Sequence, residues 1–328
     1  MRKLDILVPM YNEDESVVKP LLDSIAIQQN VDLENEVCVI ICIDGGETKL
    51  SKAFINQYPF KIEVHKEPHR GVSATRNVCL DYSKAEYVQY ADCDDMFCNV
   101  CGLWMMFREM NMPGGFDSMV SVFVEETRDP DGNVVYVNHE MDSTFVHGKL
   151  HRRQYLLDKK IRWNDNLTIH EDSFFNILCQ NLSTNVKHCP MPFYLWRWRD
   201  DSVCRHDPKY ILKTYNNMLD SNDALIDEFL SRGMSDKAMF YTVTMTFDAY
   251  YTMNKPEWIE QENQEYRNNT EKRFAAWFKK HKDMWENMPI NDKMMVSNQM
   301  RQRFVMEGMR MEAITIDNWL EHIQTLVN

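Results

Sequence analysis

No apolar stretch of this 328-residue chain is long enough to cross a bilayer. The longest runs, such as Val37–Ile43, fall far short of the roughly 20 residues a spanning helix needs. The first residues, Met1-Arg2-Lys3-Leu4-Asp5-Ile6, lack the apolar core and small-residue cleavage pattern of a secretory signal, so a soluble cytoplasmic protein is expected. Paired cysteines are missing as well. The nine cysteines are odd in number and lie between Cys38 and Cys204, several in apolar strings where a thiol packs as a small hydrophobe. Cys98-Asn99-Val100-Cys101 has the spacing of a zinc knuckle, but no second pair follows, and a structural zinc normally takes four ligands. Positive charge is also scarce: 37 Lys and Arg against 50 Asp and Glu give a formal charge of −13. That balance argues against a sequence-independent nucleic-acid binder held by phosphate contacts, while leaving room for a local basic groove. What the chain does have is 44% hydrophobic and 12% aromatic residues, enough to bury one large or two ordinary cores.

The first hundred residues alternate short apolar runs with helical patterns. Leu4–Pro9 and Val37–Ile43 read as strands, the second apolar on both faces as in a parallel sheet covered by helices. Lys61–His65 alternates like a peripheral strand, and Tyr87–Tyr90 is another strand. Helices are expected after Glu13 and over Ser73–Tyr82. Such alternation indicates an α/β fold with a mostly parallel sheet, in which ligands bind beyond the carboxyl ends of the strands. Asn12–Glu15, Asp44–Gly46 and Asp92–Asp95 all fall at such ends. Farther on, Asp129-Pro130-Asp131-Gly132-Asn133 reads as a hairpin turn, and helices are expected around Arg153–Lys159 and from near Asp172. After Arg205 the chain looks all-helical, from an Asp207-Pro208 start. That region holds 13 of the 23 methionines, a stripe that reads as core.

Tyr90-Ala91-Asp92-Cys93-Asp94-Asp95 places three carboxylates just beyond a strand. Clustered carboxylates repel and raise one another's pKa unless they share a cation, and a hard divalent ion suits oxygen ligands. Taken alone, the same run also reads as a solvated acidic turn.

It does not stand alone. Val8-Pro9-Met10-Tyr11-Asn12-Glu13, Ile43–Gly46, Gly71–Asn77 and Tyr90–Asp95 come in a fixed order. They are followed by Gly148–Arg153, His170-Glu171-Asp172 and Tyr194–Ser202. Together these resemble the family 2 glycosyltransferases, whose fold is GT-A, over roughly residues 4–205. The resemblance implies a catalytic domain over 1–205, with a nucleotide-sugar-binding half (1–100) and an acceptor half (101–205), and a helical C-terminal domain over 206–328.

Carried onto matching positions, the resemblance implies that Pro9, Tyr11 and Glu13 line the base and ribose pocket of a UDP-sugar. Asp44 would accept from the uracil ring, although a plain turn former before Gly45-Gly46 is a serious rival reading. Arg70 and Arg76 would face the nucleotide, with a surface salt bridge as the rival for Arg76. Asp92 would contact ribose or sugar, Asp94 would ligate Mn²⁺ or Mg²⁺, and Asp95 would support the loop. Arg197 and Arg199 would belong to a loop closing over the diphosphate. His206 would be a further metal ligand or a solvent-facing histidine.

Transfer to a hydroxyl needs a base. The resemblance makes that base Asp172, with Glu171 beside it, kept ionised by a positive helix end. Against this, Thr168–Glu171 has the spacing of a capping box. Direct displacement would invert the anomeric centre. Lys149, Trp163 and Trp198 would border the acceptor, with core or solvated-face roles as rivals.

The expected donor is a nucleotide-sugar, foremost a UDP-sugar, and the expected acceptor a glycan. Hydroxymethylated pyrimidines of DNA, as used by virus-encoded relatives, form the minority reading, because residues 206–328 carry 15 Lys and Arg against 19 Asp and Glu. Peripheral attachment at the inner membrane face stays open. A non-catalytic nucleotide-sugar-binding protein is disfavoured by the retention of both Asp94 and Asp172. A nucleotidyltransferase would want a basic, glycine-rich phosphate loop where Tyr11-Asn12-Glu13-Asp14 stands.

Overall fold

The computed structural model describes residues 2–199, 202, 209–306 and 315–327. The chain divides into two compact units, Met1–Asp200 and Asp201–Asn328.

The first unit runs β1 (Leu4–Met10), α1 (Glu15–Ala26), α2 (Leu33–Glu36), β2 (Val37–Asp44), α3 (Lys52–Asn56), β3 (Lys61–Glu67), α4 (Val72–Tyr82), β4 (Tyr87–Tyr90), β5 (Met96–Phe97), α5 (Gly102–Met110), β6 (Ser118–Arg128), β7 (Val134–His139), β8 (Lys149–Arg152), α6 (Arg153–Asp158), α7 (Glu171–Leu182) and β9 (Val186–Trp196). The sheet order is β3-β2-β1-β4-β8-β6-β9-β5, with β7 paired to β6. Strands β3, β2, β1 and β4 are mutually parallel, as the apolar two-faced β2 demands. Beyond β4 the sheet is mixed, since β8 pairs antiparallel to both β4 and β6 while β6 and β9 are parallel.

Register places the functional segments. Met10 lies opposite Ile43, and Leu7 opposite Tyr90, so the chain leaves β1, β2 and β4 on the same edge of the sheet. Tyr11–Glu13, Asp44–Gly46 and Asp92–Asp95 therefore emerge together. The strands are anchored by a core that includes Leu4, Ile6, Val8, Val39 and Ile41, packed against Val18, Leu21, Leu22 and Ile25 of α1. At the opposite edge buried Asp5 accepts from Ser83 Oγ (2.7 Å), Lys84 N (2.8 Å) and Ala85 N (3.0 Å), which fixes where α4 hands over to β4. The Asp129–Asn133 turn joins β6 to β7 as an antiparallel hairpin. The cysteines are mostly interior in this unit, but Cys98 is exposed and Cys101 and Cys189 are half-buried.

The second unit holds α8 (Tyr210–Ser231), α9 (Ser235–Met253), α10 (Pro256–Ile259), α11 (Gln264–Asn287), α12 (Ile290–Met306) and α13 (Ile316–Thr325). Trp258, Trp277 and Trp319 are fully buried in it. Met253 is core, whereas Met294 and Met295 face out, so the methionine stripe is interior only in part. The Asp207-Pro208 helix start lies outside the described residues. Among the described residues, no helix is long and apolar enough to cross a membrane.

Candidate active site

One side of the candidate site is built from the ends of β1 and β2. Pro9 is half-buried in β1, and Tyr11, just beyond it, is 47% exposed. The Glu13 carboxylate accepts from the Tyr11 amide at 2.6 Å, folding the chain back at the strand end. The Tyr11 ring lies 4.9 Å from the His69 ring. Asp44 is buried, and its two oxygens accept from Arg70 N (2.7 Å) and Gly71 N (2.9 Å). It thereby ties the end of β2 to the loop that opens α4. Gly45 sits at φ +82°, where a Cβ would lie 2.8 Å from that of His69, so glycine is required there. The Arg70 side chain is exposed and pairs with Asp165 at 2.7 Å.

Arg76 occupies the centre of the site. It is neither on the helix surface nor open to solvent: α4 buries it, at 4% side-chain exposure, facing the sheet edge. One guanidinium nitrogen donates to Glu171 (3.0 Å) and Asp172 (2.8 Å), and another donates to Asp92 (3.0 Å). Its plane rests over Trp163 at 4.4 Å, and Trp163 stacks on Phe175 at 4.2 Å. Such a fork is what a planar, permanently charged guanidinium can hold and an ammonium cannot. Burial opposes its charge, yet the three carboxylates hold its pKa above the ordinary value.

Glu171 and Asp172 open α7, but not through a capping box. The residue at the cap is His170, in the left-handed region at φ +62°, with no side-chain cap bond. This kink aims both acids at Arg76. Asp172 Oδ1 accepts from Arg76, and Oδ2 accepts from Val146 N at 3.0 Å. The expectation that a helix end keeps Asp172 fully ionised needs correction. Burial pushes its pKa up to about 7, opposed by Arg76 and reinforced by the charges of Glu171 and Asp92. Burial outweighs the helix end.

The acidic loop after β4 alternates sides. Cys93 points inward and is buried, while Asp94 pairs with Arg199 at 3.0 Å. The Arg197 side chain donates to Asp94 O at 3.1 Å. Asp95 is buried, accepting from Tyr194 Oη (2.7 Å) and Arg197 N (3.0 Å), and Tyr194 Oη in turn accepts from Asp92 N (3.0 Å). Burial and the neighbouring charges push the pKa values of Asp94 and Asp95 up, with Arg199 countering at Asp94.

Asp92, Asp95 and His147 offer ligand atoms within 4.8 Å of one another, a grouping able to hold a cation. His147 Nδ1 is buried without a hydrogen-bond partner, 3.6 Å from Asp95 Oδ2. Its ring is packed among Phe145, Tyr194 and Trp196, and burial drops its pKa to about 3. His206 lies outside the described residues.

Two acceptor expectations are overturned by burial. Lys149 is 2% exposed in β8, its ammonium turned onto the preceding loop, so it cannot border an open cleft. Trp163 is likewise buried and carries Arg76 on its face, leaving no face for a sugar. Trp198 is half-buried, with the Arg128 guanidinium 5.2 Å from its ring. Sequence reasoning missed His147, Asn176 and the Val146 amide. A backbone N–H leaves no residue-type signal, and lone His and Asn residues are common in cores.

Residues 5–98 match the family model described as glycosyl transferase family 2. The chain is similar to the poly(ribitol-phosphate) beta-glucosyltransferase of Bacillus spizizenii, with 28% identity over 191 residues. That match takes in 53% of this chain but only 29% of the length of that relative. Among solved structures it resembles S. aureus TarS 1-349, with a TM-score of 0.61, 16% identity and coverage of 96% of this chain and 95% of that one. It also resembles the same fragment in complex with UDP-GlcNAc, with a TM-score of 0.54, 17% identity and 92% coverage of each chain. At these identities the structural likeness speaks for the fold. Residues 5–98 thus carry the match to the family 2 glycosyltransferases, and the chain has the GT-A fold of the glycosyltransferase structures it resembles.

Proposed function

We propose that the chain is an inverting transferase that moves a sugar from a UDP-sugar to a hydroxyl of a polymeric glycan. The observation that carries this reading is Arg76. It bridges Asp92, at the end of the donor-side strand, to Asp172, at the start of a helix from the other half of the domain. A donor-side carboxylate and a candidate base thus share one buried cation, which brings the two substrate sides within reach of each other.

Asp172 is the general base. Held on one edge by Arg76 and on the other by Val146 N, its carboxylate keeps a lone pair on each oxygen for an acceptor hydroxyl. A pKa near 7 suits a base operating at neutral pH. As the hydroxyl oxygen bonds to the anomeric carbon, its proton passes to Asp172 and the bond to the diphosphate breaks. The direct displacement inverts the centre. Tyr11 and Glu13 line the base side, and Asp44 keeps spare lone pairs for the ring N–H of uracil.

Asp94, with Asp92, is suited to hold Mn²⁺ or Mg²⁺. Their oxygens fit a hard ion, and burial first and the Asp92 charge second raise the pKa of Asp94, a penalty on its charge that a cation would relieve. Such an ion supplies Lewis-acid neutralisation of the leaving diphosphate. Asp95 serves the loop, because both of its oxygens already accept from Tyr194 and Arg197. The similar proteins, one named as a poly(ribitol-phosphate) beta-glucosyltransferase and one solved in complex with UDP-GlcNAc, support UDP-glucose and UDP-GlcNAc as donor probes and poly(ribitol phosphate) as the acceptor probe.

The test is thermal shift with UDP, CDP and GDP, with and without Mn²⁺, followed by UDP release from both donors in the presence of poly(ribitol phosphate). Metal-dependent stabilisation by UDP is expected. A preference for GDP or CDP, or no response to any nucleotide, overturns the donor assignment.

A further inference from the structure

Residues 142–148 connect β7 to β8 and lie along one face of α7. Three side chains on that helix, each four positions from the next and so on a common face, grip the backbone of the loop. Asp172 Oδ2 accepts from Val146 N (3.0 Å), Asn176 Nδ2 donates to Thr144 O (2.9 Å) and Phe145 O (3.0 Å), and Gln180 Nε2 donates to Ser143 O (3.3 Å). The loop also caps itself, since Asp142 Oδ1 accepts from Thr144 N and Phe145 N, each at 2.8 Å.

The opposite side of the loop is held by Lys149. Its buried ammonium donates to Phe145 O and lies 3.5 Å from both His147 O and Asp142 Oδ1. Burial pulls its pKa down, and the charges of Asp142 and Asp172 pull it back up. An ammonium has three protons to donate, and here three acceptors of a single loop surround it. Burying a cation is costly unless it is paired and hydrogen-bonded. This one is satisfied only while residues 142–147 keep their present course, and that course is what brings the Val146 amide to Asp172.

We infer that Lys149 is a positioning residue for Asp172, fixing residues 142–147 so that the Val146 N–H orients the carboxylate. The inference rests on the reading of Asp172 as the base. Lys149 touches neither substrate; it acts through the loop, and Asn176 acts on the same loop from the helix side.

The experiment is a double-mutant cycle in the full chain, with UDP release from UDP-GlcNAc and UDP-glucose and poly(ribitol phosphate) as acceptor. The single variants are Lys149→Met, Asn176→Ala and Asp172→Asn, and the doubles combine each of the first two with Asp172→Asn. Lys149→Met is expected to lower kcat about 10- to 100-fold, the scale of a small misplacement of a reacting group, with donor KM and UDP affinity unchanged within about twofold. Asn176→Ala, which removes no charge, is expected to act in the same direction and keeps the test alive should Lys149→Met fold poorly. In the Asp172→Asn background neither change should lower the residual kcat further, because the group they position is gone. The inference is overturned if the losses multiply in full in that background. It is equally overturned if both variants lower thermal stability but leave kcat intact. If Asp172→Asn alone retains full turnover, the base assignment itself fails, which is a distinguishable result.

Discussion

Replacing Arg76 by methionine removes the cation that Asp92, Glu171 and Asp172 share while keeping an apolar chain against Trp163. The side chains of these acids are 32%, 13% and 21% exposed, so water screens them only in part. Breaking a buried ion pair by deleting one partner costs about 3–5 kcal/mol. The residual exposure of the acids argues for the lower end, about 3 kcal/mol. For a unit the size of Met1–Asp200 that corresponds to a fall in Tm of about 6–12 °C. The pH dependence fixes the sign. Burial in the folded protein already raises the Asp172 carboxyl from the ordinary 3.8 to about 7. A carboxyl raised on folding contributes stability that is present below its unfolded pKa and lost as pH rises through the folded one. Without Arg76 the folded pKa moves higher still, so the deficit of the variant should be larger at pH 8 than at pH 5. The assay is calorimetry or circular dichroism of the chelator-treated full chain at both values. A variant whose Tm matches the parent, or whose deficit grows on acidification, would refute the claim that Arg76 is held in place by ionised carboxylates.

Other measurements probe the rest of the site. Asp172→Asn should cut transfer by about 10²- to 10⁴-fold while UDP affinity stays within a few-fold, as expected for loss of a general base. In the parent protein kcat/KM should fall below about pH 7, where Asp172 takes up its proton; a flat profile down to pH 5 would exclude it as the base. Asp44→Ala removes the acceptor of the part-buried hydrogen bonds from the Arg70 and Gly71 amides, and should cost about 1–3 kcal/mol in urea unfolding and weaken UDP binding together; loss of affinity without loss of stability would mean that Asp44 serves the ligand alone. Asp94→Asn should abolish the Mn²⁺-dependent part of UDP stabilisation seen by thermal shift, whereas an unchanged metal response would move the cation to the group formed by Asp92, Asp95 and His147.

Strand–helix alternation was readable because its causes are local. The all-apolar Val37–Ile43 can only be a covered strand, and Lys61–His65, with its alternation, lies at the sheet edge. The acids at the ends of β1, β2 and β4 followed from the same reading, since neighbouring parallel strands end on one side. What resisted reading was every feature that depends on a distant partner. Thr168–Glu171 has capping-box spacing, but the chain turns through a left-handed His170 instead, because Glu171 and Asp172 are drawn to Arg76, roughly 95 residues away in sequence. Lys149 and Trp163 looked like cleft residues by type. Burial, which the linear sequence does not encode position by position, made one a clamp on a loop and the other a seat for a guanidinium.

Spacing and residue type within short windows carried the resemblance to a known family, the order of the strand ends and the identity of the acids at them. Tertiary structure alone decided how those acids are used. It buried Arg76 between three of them, raised the Asp172 pKa toward neutrality, and bound Asp95 to Tyr194 while leaving Asp94 to Arg199. The reason is physical: protonation and pairing are set by desolvation and by the nearest opposite charge, and both are properties of the folded neighbourhood.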